Sequence, residues 1–195
     1  MKGGILAAAL VFAMLSTQGC IFNPRDAEPP DTEEQDPWIV PNTPKDVFLN
    51  LTSGVASSKN SNYERSLDPE FRFYPRPEDE ASLGEAAFAD WTKDVELEWL
   101  ARVKDFYPGQ RAIQFGDAQG RFAYEDIQVG MATFEGQYLI TLDPGDGGDV
   151  ETYAGIARFI VVQGTQGWVL TEWRDLDVNG NFATSGYLRG TLRAF

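Results

Sequence analysis

Oxygen-bearing side chains recur in one segment with a spacing that could bind calcium. Asp175, Asp177 and Asn179 occupy positions 1, 3 and 5 of an EF-hand calcium loop, and Gly180 occupies position 6. Position 12 is Gly186, where the loop needs a bidentate glutamate, and the flanking residues are predicted to form strands rather than helices. A hairpin turn at the Asn179-Gly180 dipeptide is therefore the preferred interpretation.

The amino-acid composition excludes several classes of catalytic and metal site. The chain has 195 residues, no histidine and a single cysteine, Cys20. This excludes Ser-His-Asp and Cys-His catalysis, histidine metal sites, internal disulfides and thiolate zinc clusters. The 30 acidic residues against 16 basic ones give a formal net charge of -14, so nucleic acid is not an expected partner. The acidic turn 143–149 is interpreted as a solvated loop, and we expect neither a metal site nor a cofactor.

The N-terminal residues 1–19 are predicted to be a lipoprotein signal peptide. Lys2 precedes an apolar run at Ile5–Leu15 that is too short for a bilayer span, which takes about 20 residues. The residues that end at Cys20 resemble the lipobox of bacterial lipoproteins, although Thr17 stands where leucine is usual. The resemblance implies cleavage before Cys20, a lipid anchor on it and, because Ile21 follows, the periplasmic face of the outer membrane. The alternative is an ordinary secretory signal with an incidental cysteine.

Residues 20–42 are predicted to form an acidic, proline-rich tether that leads to a domain at 43–195. Few apolar side chains are available there to offset the chain entropy lost on ordering. Proline and like charges favour an extended chain. Trp38-Ile39-Val40 is the exception, because it either docks onto the domain or is an apolar patch in the linker.

Helical spacing dominates the first half of the domain, and a period of two dominates the second half. Thr43-Pro44 is predicted to begin a helix whose apolar face holds Phe48, Leu51 and Val55. The other predicted elements of the first half are helices at 60–67 and 85–104, a strand at 71–74 and a loop at 76–84. The predicted strands of the second half are 112–115, 127–131, 138–140, 153–162, 168–176 and 184–195, with a bend at 134–137. Segregated helices and antiparallel strands predict an α+β fold.

The order of these elements resembles the nuclear transport factor 2-like superfamily, and above all bacterial lipoproteins that carry one such cystatin-like domain. The segments that carry the resemblance are Thr43–Val47, Leu67–Phe73, Trp168–Asp175 and Ser185–Gly190. It implies N-terminal helices packed in a strongly curved antiparallel sheet, a cone with an internal cavity. The alternatives are another α+β fold, in which helices cover an antiparallel sheet in a different way, and a lipocalin-like barrel. The long helix at 85–104 argues against the barrel.

The resemblance also implies where a site would lie. A pocket inside the cone is expected to be lined by aromatic side chains with a few polar tips: Tyr63, Phe73, Trp91, Trp99, Tyr138, Trp173 and Asp175. The alternative is that the aromatic residues fill the core. Enzymes of the superfamily place an acid or a tyrosine in the cone, and the residues of these types are Asp90, Asp126, Asp175, Tyr63 and Tyr74. None stands in a motif that fixes a role, so no catalytic residue is predicted.

Three functions are consistent with these residues. The first is a lipid-anchored, non-catalytic module of the cell envelope that binds a small apolar ligand or a partner protein. The second is an isomerase, cyclase or hydrolase that uses a buried acid in the cone. The third is a structural module that forms a homodimer through the sheet face.

Overall fold

The computed structural model of the chain describes residues 38–145 and 147–193. Cys20, the predicted signal peptide, most of the predicted tether and Asp146 lie outside the described residues. Within the described ranges, no helix has the length and apolar character that crossing a bilayer would require.

Four helices and one strand form the first half of the domain. In chain order they are α1 (Asp46–Ala56), α2 (Ser61–Ser66), β1 (Leu67–Tyr74), α3 (Pro77–Leu83) and α4 (Lys93–Phe106), with a 3-10 turn at Glu85–Ala87. The face of α1 that holds Phe48, Leu51 and Val55 is buried, as the spacing predicts.

The second half of the domain is a long antiparallel sheet that a C-terminal helix follows. Its elements are β2 (Arg111–Phe115), β3 (Tyr124–Gln128), β4 (Met131–Leu142), β5 (Glu151–Gly164), β6 (Gly167–Val178) and α5 (Ser185–Arg193). The strand order is β1-β6-β5-β4-β2, and β3 pairs with the other end of β4. All pairs are antiparallel except β1 with β6, which is parallel. Two register shifts between β5 and β6 add local bend and twist, which suits a sheet that curves around helices.

Aromatic rings fill the space between α1 and the concave face of the sheet. Phe48 contacts Phe115, Phe134 and Phe159 at centroid distances of 5.1–5.4 Å, and Phe159 contacts Trp173 at 5.1 Å. These rings come from α1 and four different strands, so the predicted α+β fold is confirmed at its core.

Trp38-Ile39-Val40 docks on the domain. The amide of Ile39 donates to Asn50 Oδ1 at 3.0 Å, and Asn50 Nδ2 donates to the carbonyl of Ile39 at 2.7 Å. The guanidinium of Arg65 lies 4.1 Å from the centroid of the Trp38 ring. The docking interpretation is therefore the one that the structure supports.

The start of the predicted long helix at 85–104 is wrong. Phe88 and Trp91 precede α4 in a turn, in which Asp90 has a φ of 50°. The turn lets the Trp91 ring enter the core instead of lying on a helix face. The predicted loop at 76–84 is also wrong, because it contains α3, whose first turn carries Pro77 and three acids.

The C-terminal strand predicted at 184–195 is wrong as well, because the chain forms α5 there. Asn179-Gly180 leads into this helix and is not a hairpin turn. Leu188 and Leu192, four residues apart, lie on its buried face.

Two details of the predicted strands also differ from the structure. The strand predicted at 127–131 is divided by a tight turn at Val129-Gly130, where Gly130 has a φ of 78°. The bend predicted at 134–137 is absent, because β4 pairs continuously with β5 there.

Candidate functional site

The predicted pocket residues converge in the concave interior of the sheet. Tyr63, Phe73, Trp91, Trp99, Tyr138, Trp173 and Asp175 are each at most 4% exposed. Several of them surround the side chains of Arg189 and Glu96, which are both fully buried. The space that the resemblance assigned to a ligand is therefore occupied by an ion pair from the chain itself.

This ion pair has a two-pronged geometry. Arg189 Nε donates to Glu96 Oε2 at 3.0 Å, and Arg189 Nη2 donates to Glu96 Oε1 at 2.6 Å. Arg189 Cζ lies 4.3 Å from the ring centroids of Phe73, Trp99 and Trp173. We call this arrangement of Arg189, Glu96 and the three rings the cone centre.

Two further donors hold the Glu96 carboxylate. Tyr63 Oη donates to Oε1 at 2.6 Å, and Trp91 Nε1 donates to Oε2 at 2.7 Å. Burial, and then the charge of Glu96, raise the pKa of Tyr63 well above its usual value, so Tyr63 stays protonated. Burial alone lowers the pKa of Arg189, but the charge and hydrogen bonds of Glu96 more than offset it.

A second buried cluster lies at the start of α5, and its centre is Asp175. Asp175 Oδ1 accepts from Trp173 Nε1 at 2.8 Å. Asp175 Oδ2 accepts from Tyr138 Oη at 3.0 Å, and from Ser185 Oγ and the Gly186 amide at 2.8 Å each. We call this group the α5 cap. Burial is the largest cause of the raised pKa of Asp175.

The α5 cap explains why the C-terminal helix forms where it does. Its first amides face Asp175 and the Tyr138 hydroxyl, which accepts from the Ser185 amide at 2.8 Å. A Cβ atom at Gly186 would lie 3.0 Å from Asp79 Oδ2 and 3.3 Å from Asp175 Oδ2. Only glycine fits this close approach without displacing a carboxylate.

The other candidate acids and Tyr74 are not in the interior. Asp90 is exposed, Asp126 is half-buried on β3 with Gln128 Nε2 as its donor, and Tyr74 lies under the guanidinium of Arg174. The calcium-loop reading of Asp175–Asn181 is incompatible with an Asp175 that points into the core. Among the residues that the structure describes, no group of three acidic side chains is placed to hold a metal ion.

A cleft of about 640 Å³ opens beside the ends of β1 and β6. Its lining is mixed in polarity, and Asp175 reaches its floor together with Phe73 and Trp91. The carboxylate of Asp175 is only 3% exposed, and all four of its hydrogen bonds go to the protein. Asp175 therefore lines the cleft, but its carboxylate oxygens are already engaged in hydrogen bonds within the protein.

A second depression, of about 610 Å³, lies between α1, the edge strand β2 and the loop 116–123, and we call it the α1–β2 groove. Most of its lining is apolar. Its apolar residues are Phe48, Leu49, Ala112, Ile113, Phe115, Phe122 and Leu139. Lys45 stands at its rim and pairs with Glu125 at 2.7 Å.

One wall of the groove is a loop that Asp117 holds together. Asp117 Oδ1 accepts from the amides of Gln119 and Arg121 at 2.9 Å each, and Oδ2 accepts from Arg121 Nε at 2.8 Å. The hydrogen bonds from Arg121 lower the pKa of Asp117 to about 2. The loop therefore holds a defined shape, with Phe122 packed against Phe48 at a centroid distance of 4.8 Å.

Sequence reasoning missed Glu96 and Arg189, although a signal for each exists. Glu96 precedes Trp99, Leu100 and Val103 by three, four and seven residues, which places it on the buried face of α4. Arg189 follows Ser185 by four residues and precedes Leu192 by three, but this spacing has meaning only once α5 is known to be a helix.

The groove residues were missed for a different reason. Phe48, Leu49 and Leu139 belong to elements that are distant along the chain. Their proximity depends on the register of β2 on β4, which pairs Gln114 with Leu139.

No protein-family model matches the chain, and no curated protein does. Several solved structures share its fold at low sequence identity. A candidate aromatic ring hydroxylase from Novosphingobium aromaticivorans aligns at a TM-score of 0.55 and 13% identity, over 74% of this chain and 92% of that one. A candidate scytalone dehydratase from the same organism aligns at 0.53 and 9%, over 71% and 87%.

A nuclear transport factor 2-like superfamily protein from Salmonella enterica aligns at a TM-score of 0.50 and 10% identity, over 73% of this chain and 94% of that one. At such low sequence identities the alignments show the fold alone. The domain therefore has the nuclear transport factor 2-like fold, the α+β cone that the sequence resemblance implied.

Proposed function

We propose that the chain is a non-catalytic binding protein of the bacterial cell envelope, anchored by a lipid on Cys20, and that it holds a small apolar ligand in the α1–β2 groove. The observation that carries this proposal is the groove itself. It presents a largely apolar lining of about 610 Å³, whereas the cone centre is filled by Arg189 and Glu96.

The size and chemistry of the groove support a small-molecule ligand. Pockets for such ligands enclose about 300–1,000 Å³ and are lined mainly by apolar and aromatic side chains. The rings of Phe48, Phe115 and Phe122 supply a floor that α1 and β2 hold in place. Lys45, a cation that lines the groove, already pairs with Glu125. An uncharged apolar molecule therefore suits the groove better than an anion.

The enzymatic alternative has one observation in its favour, which is the hydrogen bond between Tyr138 and Asp175 beside the 640 Å³ cleft. A buried acid paired with a tyrosine is the arrangement that an isomerase, cyclase or hydrolase of this fold would use. In this chain, however, both groups are engaged with the first residues of α5. Using Asp175 on a substrate would uncap the helix, so we favour binding.

Changing Leu139 to glutamate is expected to weaken binding of the neutral apolar fluorophore N-phenyl-1-naphthylamine by at least about tenfold. Leu139 lines the groove at 39% exposure, and a carboxylate there would lose hydration when an apolar ligand covers it. Fluorescence titration of the full-length chain measures the affinity.

Val178→Glu is the matched control for that titration. Val178 is also on a strand and is also 39% exposed, but it does not line the groove. Its affinity for the fluorophore should stay within about twofold of wild type. Equal losses of affinity in the two variants, or no loss in Leu139→Glu, would show that the fluorophore does not bind in the groove.

The anchor is tested separately from the groove. Cys20→Ser is expected to leave the chain unlipidated and to shift it from the membrane fraction to the soluble fraction of the cells. Thr17→Leu, which supplies the usual lipobox residue, should keep the chain in the outer-membrane band of a density gradient. A Cys20→Ser chain that still sediments with membranes would refute the anchor.

The homodimer alternative stays a prediction. The outer face of the sheet exposes Met131 and Ile156 between polar groups, and Leu139 lies where this face meets the α1–β2 groove. One of the polar contacts on this face is an ion pair between Arg158 and Glu135 at 2.7 Å. This mixture of apolar and paired charged groups favours neither a second copy nor solvent.

A further inference from the structure

The cone centre has the features of a ligand site, although its occupant is a side chain of the same protein. Glu96 offers both carboxylate oxygens to one edge of the guanidinium, and three aromatic rings lie 4.3 Å from its central carbon. Arg189 Nη1, which is also buried, has no hydrogen-bond partner among the described residues. The site therefore recognises a planar cation through one edge and the ring contacts.

The groups that recognise the guanidinium all lie outside the helix that carries it. Glu96 and Trp99 belong to α4, Phe73 to β1 and Trp173 to β6, whereas Arg189 is on α5. The Glu96 carboxylate is also held by Tyr63 and Trp91, independently of Arg189. Removing the arginine side chain would thus leave the carboxylate and the rings in position.

We propose that the cone centre is a binding site for guanidinium compounds, which Arg189 occupies in cis and which a soluble alkylguanidinium occupies when that side chain is removed. The site is separate from the α1–β2 groove, so a negative result at one of the two sites does not count against binding at the other.

The geometry selects guanidinium over other small cations and over neutral molecules. A carboxylate that accepts two parallel N–H bonds matches the planar fork of a guanidinium, whereas an ammonium offers donors in a tetrahedral arrangement. The surrounding rings attract a cation and exclude water. A neutral planar molecule such as urea would leave the Glu96 charge uncompensated in a buried position.

The test compares the thermal unfolding of the full-length Arg189→Ala chain with and without ethylguanidinium at concentrations well below those that denature proteins. At ten times its dissociation constant, the ligand should raise the Tm of the variant by roughly 3–6 °C, and the effect should saturate. Ethylammonium and urea at the same concentrations should give no such rise. The wild-type chain, whose site is filled, should show none with any of the three.

Arg189→Ala/Glu96→Gln is the control for site specificity, and it should lose the response to ethylguanidinium. If Arg189→Ala does not fold alone, the readout becomes the recovery of native tryptophan fluorescence when ethylguanidinium is added. A saturable rise or a recovery that requires Glu96 supports the proposal. No response, or an equal response in the double variant or with ethylammonium, overturns it.

Discussion

Replacing Arg189 by alanine is expected to lower the free energy of unfolding by about 3–5 kcal/mol. The change leaves the Glu96 carboxylate fully buried without its counter-charge, although Tyr63 and Trp91 still donate to it. It also removes a cation from contact with three aromatic rings. Urea unfolding followed by tryptophan fluorescence measures the loss.

Arg193→Ala is the matched control for this prediction, because Arg193 lies on the same helix one turn later. Its guanidinium is partly exposed and donates to the Ala89 carbonyl at 2.7 Å, with no buried carboxylate behind it. Its substitution should cost no more than about 1 kcal/mol. Similar costs for the two arginines would show that the ion pair does not stabilise the cone centre in this way.

Replacing Asp175 by alanine is expected to cost at least about 3 kcal/mol, because several buried donors would lose their acceptor together. They are Tyr138 Oη, Trp173 Nε1, Ser185 Oγ and the Gly186 amide. Three of these bonds fix α5 or the tyrosine that caps it, so helical signal at the C-terminus should be lost with stability. Asp126→Ala, at a half-buried acid on β3, should cost less than about 1 kcal/mol.

The pH dependence of the Asp175→Asn variant isolates the protonation of this carboxyl group. Burial raises the pKa of Asp175 in the folded protein above its ordinary value of 3.8. Above that value the folded state therefore holds this proton more tightly than the unfolded chain, and the contribution of Asp175 to stability falls as pH rises. The destabilisation by Asp175→Asn should be largest near about pH 4 and smaller near about pH 7. A destabilisation that grows with pH would mean that the folded state favours the charged carboxylate.

The interior position of the predicted pocket residues followed from the resemblance to the fold together with the local spacing. Trp99 follows from the period of the helical segment, and Trp173 follows from the strand pattern of the second half. Both lie in the interior, where the resemblance to the fold placed them. What occupies the interior did not follow, because Arg189 lies in a segment that was predicted to be a strand, and Glu96 was not among the candidate site residues.

The misassigned C-terminal helix has a physical cause. Gly186 and Gly190 lower the helix propensity of the segment, so local sequence argues against α5. The helix forms because tertiary contacts compensate: Asp175 caps its first turn, and Glu96 binds Arg189 in its second. A side chain at Gly190 would displace its neighbours, since a Cβ atom would lie 2.6 Å from the Phe88 ring. Such compensation is visible only in the folded chain.

The groove could not be predicted for a related reason. Its floor combines a helix, an edge strand and a loop, and the loop takes its shape from the Asp117–Arg121 contact. No local pattern in the sequence indicates that Phe122 packs against Phe48. The groove therefore takes shape only in the folded chain.

Native mass spectrometry of the full-length chain, purified from membranes in a mild detergent, shows directly whether the α1–β2 groove holds a ligand. The wild-type chain and Val178→Glu are expected to carry the added mass of one small apolar molecule, whereas Leu139→Glu is expected to be empty. A wild-type chain without any added mass, or a Leu139→Glu chain that retains the same molecule, would contradict the assignment of the α1–β2 groove as the ligand site.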